Sequence, residues 1–282
     1  MKIKYFGTAA AEGIPALFCT CPVCRKARQL GGKNIQSRSQ ALIDDTLLVD
    51  LPPDTFYHTL NGLDLPSVNQ VLLTHTHGDH FNTLDLWCRS KGIAHYGAFD
   101  QPLPEPLHVY ASERAMEEIR KEREYCGCFE KPDVFAMHPL QRYVPTDTLT
   151  HRITAMTADH SQNAGAVIYI IEDKSGTAML YGNDTGWFPE ETWDYLAQTK
   201  PYFAYVSLDT TGVTQNYRSG HMGFSAGIEV REKLIGLGCA DEKTVFCHVH
   251  YSHNGRMVYD EIAVAAADHG FLAAYDGFEV QF

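Results

Sequence analysis

The sequence predicts an α+β protein in which two sheets are flanked by helices. Short segments with strand character recur along the whole chain, and amphipathic helical segments recur between them. No proline- and serine-rich linker, low-complexity tract or short repeat divides the chain, so we expect residues 1–282 to form a single domain. The charged segment 89–131 is the best candidate for a variable insertion.

The N-terminal half contains five predicted strands and three predicted helices. The strands are residues 2–6, 39–43, 46–50, 70–74 and 107–110. The helices are residues 53–60, 80–90 and 112–124. The second and third strands form a hairpin around Asp44-Asp45. The first helix has proline in its first turn, and Ser112 caps the third.

The C-terminal half has the same alternation. Its predicted strands are residues 134–137, 152–157, 166–171, 177–181, 202–208 and 245–249, followed by short closing strands. Its predicted helices are residues 189–197, 225–235 and 255–267. This pattern places polar loops directly after several apolar strands.

Charge and composition limit the classes of partner. The chain has 23 basic and 35 acidic residues, a formal charge of −12, which argues against broad contact with a nucleic-acid backbone. A small-molecule substrate fits better, and bound divalent cations would still allow that substrate to be anionic. No apolar run approaches the roughly 20 residues that a membrane span requires. Gly7, Glu12 and Pro15 interrupt the N-terminus, so we expect a cytoplasmic protein rather than a secreted one.

The segment His75-Thr76-His77-Gly78-Asp79-His80 is the strongest functional signal. It places four potential metal ligands directly after the apolar run Val71-Leu72-Leu73, which reads as a buried strand. Imidazole and carboxylate groups together suit zinc, manganese or iron. A polar turn that happens to be rich in histidine is the alternative, and the spacing of the four ligands disfavours it.

Further candidate ligands follow other predicted strands. His160 follows residues 152–157, Asp184 follows residues 177–181, and His250 follows residues 245–249. Each one alone could be an ordinary turn residue. Because strand ends converge on one edge of a sheet, their recurrence favours a shared metal site.

This pattern of ligands resembles the metallo-β-lactamase superfamily of dinuclear hydrolases. The resemblance implies an αββα sandwich of the metallo-β-lactamase type, with two mixed sheets flanked by helices. It implies that His75, His77 and His160 hold one metal ion, and that Asp79, His80 and His250 hold the other. Asp184 would bridge the two ions, and Asp50 would hold the histidine loop in place from behind. The resemblance covers nearly the whole chain.

The cysteines suggest a second metal site. Cys19, Cys21 and Cys24 are clustered in the loop 18–25, and neighbours this close are poorly placed to form a disulfide with each other. The PhnP-type phosphodiesterases of this superfamily have such a cysteine cluster, completed by a histidine three residues after the last catalytic ligand. That position is His253 here, so the resemblance implies one structural zinc ion held by three cysteines and a histidine. A redox-active or free-thiol cluster is the alternative.

Two other histidines need separate interpretation. His221 matches a loop histidine that acts near the leaving group in the PhnP-type pattern, although it could instead cap a helix beginning near Ser225. His248 competes with His250 for the ligand role; we interpret it as a core or supporting histidine. The remaining histidines have no partner motif and are expected to be structural or exposed: His58, His95, His108, His138, His151 and His269. Cys126 and Cys128 are interpreted as plain loop residues.

The resemblance implies a metal-dependent phosphodiesterase that acts on a small phosphodiester, cyclic ones included. The nucleophile would be a hydroxide bridging two divalent ions (manganese, zinc or iron), with catalytic roles for Asp79 and His221. The alternatives are another hydrolase of this fold (PqqB-like, lactonase, thioesterase or RNA 3′-processing nuclease), a di-iron oxidoreductase, or a non-catalytic binding protein. Family resemblance also implies a homodimer.

Overall fold

Two seven-stranded sheets pack face to face in the computed structural model, which describes residues 1–90, 93–95, 98–99, 101, 105–121 and 131–282. The strands of the N-terminal half are β1 (Lys2–Gly7), β2 (Gln40–Ile43), β3 (Leu47–Val49), β4 (Gln70–Leu72), β5 (Leu107–Ser112) and β6 (Phe135–Leu140). Those that follow are β7 (Thr146–Asp147), β8 (Arg152–Thr157), β9 (Val167–Glu172), β10 (Ala178–Gly182), β11 (Phe203–Asp209), β12 (Val245–Val249), β13 (Leu272–Ala273) and β14 (Glu279–Gln281).

Both sheets are mixed, as the sequence predicts. The first has the order β14-β1-β2-β3-β4-β5-β6, and it is parallel from β3 to β6. The second has the order β13-β12-β11-β10-β9-β8-β7, and it is parallel from β10 to β13. Because β8 and β10 each pair antiparallel with β9, they run in the same direction. The C-terminal ends of β8, β10, β11 and β12 therefore lie at one edge of the second sheet.

Helices cover the outer faces of both sheets. They are α1 (Pro22–Leu30), α2 (Thr55–Leu60), α3 (Thr83–Ser90), α4 (Glu113–Lys121), α5 (Glu190–Thr199), α6 (Phe224–Leu237) and α7 (Tyr259–Asp268). Leu86 of α3 and Met116 of α4 pack on the first sheet, whereas Trp193 of α5 and Val230 of α6 pack on the second. A third apolar cluster, which includes Tyr169, fills the space between the sheets. The expected αββα sandwich is confirmed.

The structure corrects the predicted elements in a few places. The sequence does not predict the helix α1. This helix has Pro22 in its first turn, and Cys21 Sγ accepts a hydrogen bond from the Cys24 amide. The helix predicted from residue 80 begins at Thr83. The reason is that the Leu51 amide donates to the His80 carbonyl at 2.7 Å, which diverts this backbone from helical pairing.

Other local predictions agree with the structure. Asp44 and Asp45 both have positive φ, the conformation of a type I′ turn, and they join β2 to β3 as a hairpin. The Ser112 hydroxyl accepts the Ala115 amide at the start of α4. The end of the predicted helix 112–124, and Cys126 and Cys128, lie outside the described residues. Within the described ranges, every helix is too short or too polar to span a bilayer.

Candidate metal centre

Loops at the ends of strands from both sheets bring the candidate ligands together. The histidine loop follows β4, His160 follows β8, Asp184 follows β10 and His250 follows β12. The Leu51–Phe81 bridge ties the histidine loop to the end of β3. The candidate ligands therefore meet where strands of the two sheets terminate, as their positions in the sequence suggest.

Three histidines form one compact group of donors. His77 Nδ1 lies 3.0 Å from His75 Nε2 and 3.2 Å from His160 Nε2. Two nitrogen ligands of one tetrahedral zinc ion, each about 2.05 Å from it, would be about 3.3 Å apart. The spacing of His75, His77 and His160 thus fits a single ion.

A second group of donors surrounds the carboxylate of Asp184. Its Oδ2 lies 3.1 Å from His80 Nε2, 3.3 Å from His75 Nε2 and 3.8 Å from His250 Nε2. Asp79 Oδ2 lies 3.3 Å from His80 Nε2. Asp184 therefore lies against donors of both expected ligand groups, which is the position that a bridging carboxylate requires.

Buried atoms without hydrogen-bond partners show that this donor set fits cations. His80 Nε2, His250 Nε2 and Asp184 Oδ1 are buried, and none has a hydrogen-bond partner. Their close approaches to one another lack the alignment of hydrogen bonds. Leaving such atoms unsatisfied is costly, and divalent ions between them would satisfy all three. The ordinary effect of burial on Asp184 is outweighed by the neighbouring histidines, His250 foremost, which hold its pKa well below the usual range.

Asp50 fixes the orientation of His80. His80 Nδ1 donates to Asp50 Oδ2 at 2.7 Å, and Asp50 also accepts from the amide and hydroxyl of Thr74. With Nδ1 occupied, Nε2 is the ring atom that faces Asp79 and Asp184. The contacts place Asp50 where the sequence interpretation expects it, behind the histidine loop.

Asp209 is a buried site residue that the sequence interpretation missed. Its Oδ2 lies 3.2 Å from His250 Nδ1 and 3.3 Å from His221 Nδ1, while Oδ1 accepts from the amides of Thr211 and Met222. One carboxylate thus orients two histidines. The available signal was its position at the end of β11, equivalent to that of the strand-end candidates already recognised.

His221 lines the same pocket as the candidate ligands. Its Nδ1 lies 3.1 Å from Asp184 Oδ1 and 3.3 Å from Asp209 Oδ2. Burial lowers the pKa of His221, but these two carboxylates outweigh it and raise the pKa to about 11. The alternative role as a helix cap is wrong, because α6 begins after Gly223 with no side-chain cap.

His248 is separated from the candidate ligands by its packing. It is fully buried, stacks on Phe271 with ring centroids 4.1 Å apart, and shares a hydrogen bond of 2.6 Å with Thr210. Burial is the main reason that its pKa falls to about 3. It is therefore a neutral core histidine, and His250 is the one that reaches the metal centre.

The three clustered cysteines and His253 form a second group of donors. One ligand atom of each of Cys19, Cys21, Cys24 and His253 lies within 4.8 Å of all the others. His253 Nδ1 is 3.4 Å from Cys21 Sγ and 3.7 Å from Cys19 Sγ. Burial opposes it, but the Cys24 amide and His253 lower the pKa of Cys21 to about 6. Three thiol sulfurs and one imidazole nitrogen with this spacing fit one tetrahedral zinc ion.

The αββα sandwich carries a cluster of histidine and aspartate side chains whose spacing fits metal ions. The sequence model of the family described as Beta-lactamase superfamily domain matches residues 46–249. The chain belongs to this family.

Solved structures of the same fold span several activities. A diphosphatase from the PhnP family superposes with a TM-score of 0.72 at 18% identity, covering 100% of this chain and 97% of that chain. Zn²⁺-bound PqqB from Methylobacterium extorquens gives 0.73 at 16% identity and covers 100% of both chains. The short form of human tRNase Z gives 0.64 at 13% identity, over 100% of this chain and 99% of that chain. These similarities show the shared fold.

One curated relative from Porphyromonas gingivalis is named octanoyltransferase. It is 29% identical over 135 residues, which is 44% of this chain. The match spans only 23% of that relative's length.

Proposed function

We propose that this protein is a phosphodiesterase that hydrolyses a small phosphodiester at two divalent metal ions. His75, His77 and His160 would hold one ion, Asp79, His80 and His250 the other, and Asp184 would contact both. Bound there, a pair of zinc or manganese ions would neutralise phosphoryl oxygens and make water nucleophilic at neutral pH. We also propose a structural zinc ion in the cysteine cluster.

The arrangement around His221 carries the proposal. Its Nδ1 contacts Asp209 Oδ2 at 3.3 Å, so Nε2 is the ring atom left to give a proton to a departing group. Burial opposes protonation, but the Asp209 carboxylate raises the pKa of this ring and so favours its protonated form. An alkoxide is a poor leaving group unless it is protonated as the bond breaks. A protonated imidazole beside the candidate ligands supplies that proton.

The size of the pocket supports a small substrate. A cavity of about 360 Å³ is lined by His77, Asp79, His160, His221 and His250, among others. This volume suits a small molecule. The acidic charge balance of the chain also disfavours extended contacts with RNA, the class of substrate that the likeness to tRNase Z would suggest.

The direct test is hydrolysis of bis(p-nitrophenyl) phosphate after loading with zinc, manganese or iron. We expect turnover of this diester that chelation abolishes, with slower turnover of p-nitrophenyl phosphate and of a lactone. A protein that contains both catalytic metals but hydrolyses no phosphodiester contradicts the proposal, and preference for the lactone would favour the carbonyl hydrolases of this fold.

The role of His221 is tested with leaving groups of different pKa. We expect His221→Ala to lower turnover of phenyl methyl phosphate about 100-fold or more, with a smaller loss for p-nitrophenyl methyl phosphate. His269→Ala, which removes an exposed histidine outside the pocket, is the control and should leave both rates unchanged. An equal loss for both substrates in His221→Ala would rule out proton donation.

A further inference from the structure

One part of the pocket wall carries a carboxylate. This wall is formed by Ala10, Ala11 and Glu12 of the N-terminal loop, together with Ser252 and Asn254. Among the described residues that line the cavity, none is lysine or arginine. Glu12 is therefore the charged side chain among these five residues of the wall.

Two guanidinium groups of this region, those of Arg38 and Arg218, have partners outside the cavity. Arg38, next to the loop, donates to the Ala11 carbonyl and pairs with Asp54 at 2.8 Å. Arg218, in the loop before His221, pairs with Glu229 and lies over the ring of Trp187. Neither cation is positioned to offset the charge of Glu12 inside the pocket.

Glu12 is held in place rather than free to swing into solvent. Its Oε1 accepts the Ser252 hydroxyl, and His253 Nε2 lies 3.7 Å from the same oxygen. The other ring nitrogen of His253 faces the sulfur atoms of the cysteine cluster. The loop itself is tied down, because the Ala10 amide donates to the Tyr251 carbonyl at 2.8 Å. The carboxylate is thus fixed between the cysteine cluster and the pocket.

We propose that Glu12 sets the charge selectivity of the pocket. It admits substrates whose reacting phosphoryl group is the only anionic group, and it disfavours substrates with a second phosphate that would lie near this wall. The reason is that the metal ions and a protonated His221 would compensate charge at the reacting phosphoryl group, whereas the described lining has no lysine or arginine to compensate a second anion beside a fixed carboxylate. This inference rests on the proposed phosphodiesterase function.

A matched pair of substrates tests the selectivity. Thymidine 5′-(p-nitrophenyl phosphate) and its 3′-phosphorylated analogue both release p-nitrophenol and differ by the remote phosphate alone. We expect the wild-type protein to favour the first, and Glu12→Gln to reduce the ratio of kcat/KM values about tenfold, mainly through KM. The amide can still accept the Ser252 hydroxyl. The difference should also shrink as ionic strength rises.

Glu229→Gln is the control, because it removes one negative charge from the exposed surface beside Arg218, in the loop before His221, but outside the pocket. It should keep the wild-type ratio. An unchanged ratio in Glu12→Gln, or the same change in both variants, overturns the inference. Zinc content and circular dichroism of Glu12→Gln would show that the fold and the cysteine cluster are retained.

Binding separates this inference from the proposed function. Calorimetry with thymidine 5′-phosphate and thymidine 3′,5′-bisphosphate measures selectivity without turnover. If neither ester is hydrolysed but Glu12→Gln improves binding of the bisphosphate about tenfold relative to the monophosphate, the phosphodiesterase proposal fails and the role of Glu12 stands. If phosphodiesters are hydrolysed and neither binding nor kinetics depends on Glu12, the phosphodiesterase proposal stands and the role of Glu12 fails. Absence of selectivity in both measurements overturns the role of Glu12.

Discussion

The Asp209→Asn substitution probes how one buried carboxylate supports two histidines. In the wild-type chain, Asp209 Oδ1 accepts the amides of Thr211 and Met222 at 3.0 and 2.8 Å. The amide oxygen of asparagine must occupy the position of Oδ1, because the asparagine NH2 group cannot accept these two N–H groups. Its NH2 group then faces His221 Nδ1 and His250 Nδ1, where the carboxylate Oδ2 now lies at 3.3 and 3.2 Å.

The expected magnitude follows from these contacts. A carboxylate that receives an imidazole N–H leaves the other ring nitrogen free to bind metal, whereas an amide N–H at that position opposes the same tautomer. We expect the affinity of the ion held by His250 to fall about 10- to 100-fold. Turnover should fall further, since Asp209 also helps to keep His221 protonated.

Metal content per chain and turnover are measured together at limiting and saturating metal. Asp159→Asn is the matched control: Asp159 lies at the same edge but accepts the Gly220 amide, a contact that an asparagine oxygen preserves. It should retain both catalytic ions. If Asp209→Asn binds metal with wild-type affinity and turns over at the wild-type rate, the supporting role of Asp209 is wrong.

Three further predictions concern stability. Burial, partly offset by Asp54, lowers the pKa of His58 to about 4. Below about pH 6.5 the unfolded chain therefore binds a proton at His58, whereas the folded chain does not bind it until the pH approaches 4. The free energy of unfolding should therefore fall by about 2 kcal/mol at pH 5 through this residue, and urea titrations should show a smaller acid loss in His58→Gln; equal losses would contradict it. Cys24→Ser should remove one zinc ion per chain and lower the melting temperature, as metal analysis and calorimetry would show, whereas an unchanged zinc content would exclude the proposed ligand role. Gly165→Ala should lower the free energy of unfolding by more than about 2 kcal/mol, because the new Cβ would lie 2.4 Å from the Ala115 amide nitrogen. The control Gly176→Ala, at a position with positive φ but open space, should lower it by about 1 kcal/mol in chemical denaturation. Similar losses in the two variants would contradict a steric cost at Gly165.

The features that could be predicted from the sequence are those whose signal is local. The histidine loop after β4 and the hairpin at Asp44-Asp45 each lie within a few consecutive residues, and both are found where the pattern predicts them. The relation between strand ends was also predictable, because parallel strands end at a common edge. Asp184 and His250 could be recognised in this way.

The features that were missed depend on contacts between distant segments. Asp209 follows a predicted strand, but its importance comes from His221 and His250, which lie in two other loops. The helix α1 was missed because its cysteines suggested a loop. The spacing of its buried residues is nevertheless helical: Val23, Cys24 and Ala27. The delayed start of α3 reflects a backbone hydrogen bond to Leu51, which no property of residues 80–90 reveals.

The backbone at the site shows why these strand ends carry polar side chains rather than glycine. Asp50, Asp184 and His250 all have positive φ, at 65°, 52° and 65°. Glycine adopts this conformation without steric cost, whereas other residues lose of order 1 kcal/mol each. These left-handed residues lie within two residues of the ends of β3, β10 and β12, and each of the three side chains contacts another member of the candidate metal centre. The fold therefore retains strained residues where their side chains make these contacts, because glycine would relieve the backbone and leave His80 unsupported or a candidate ligand missing.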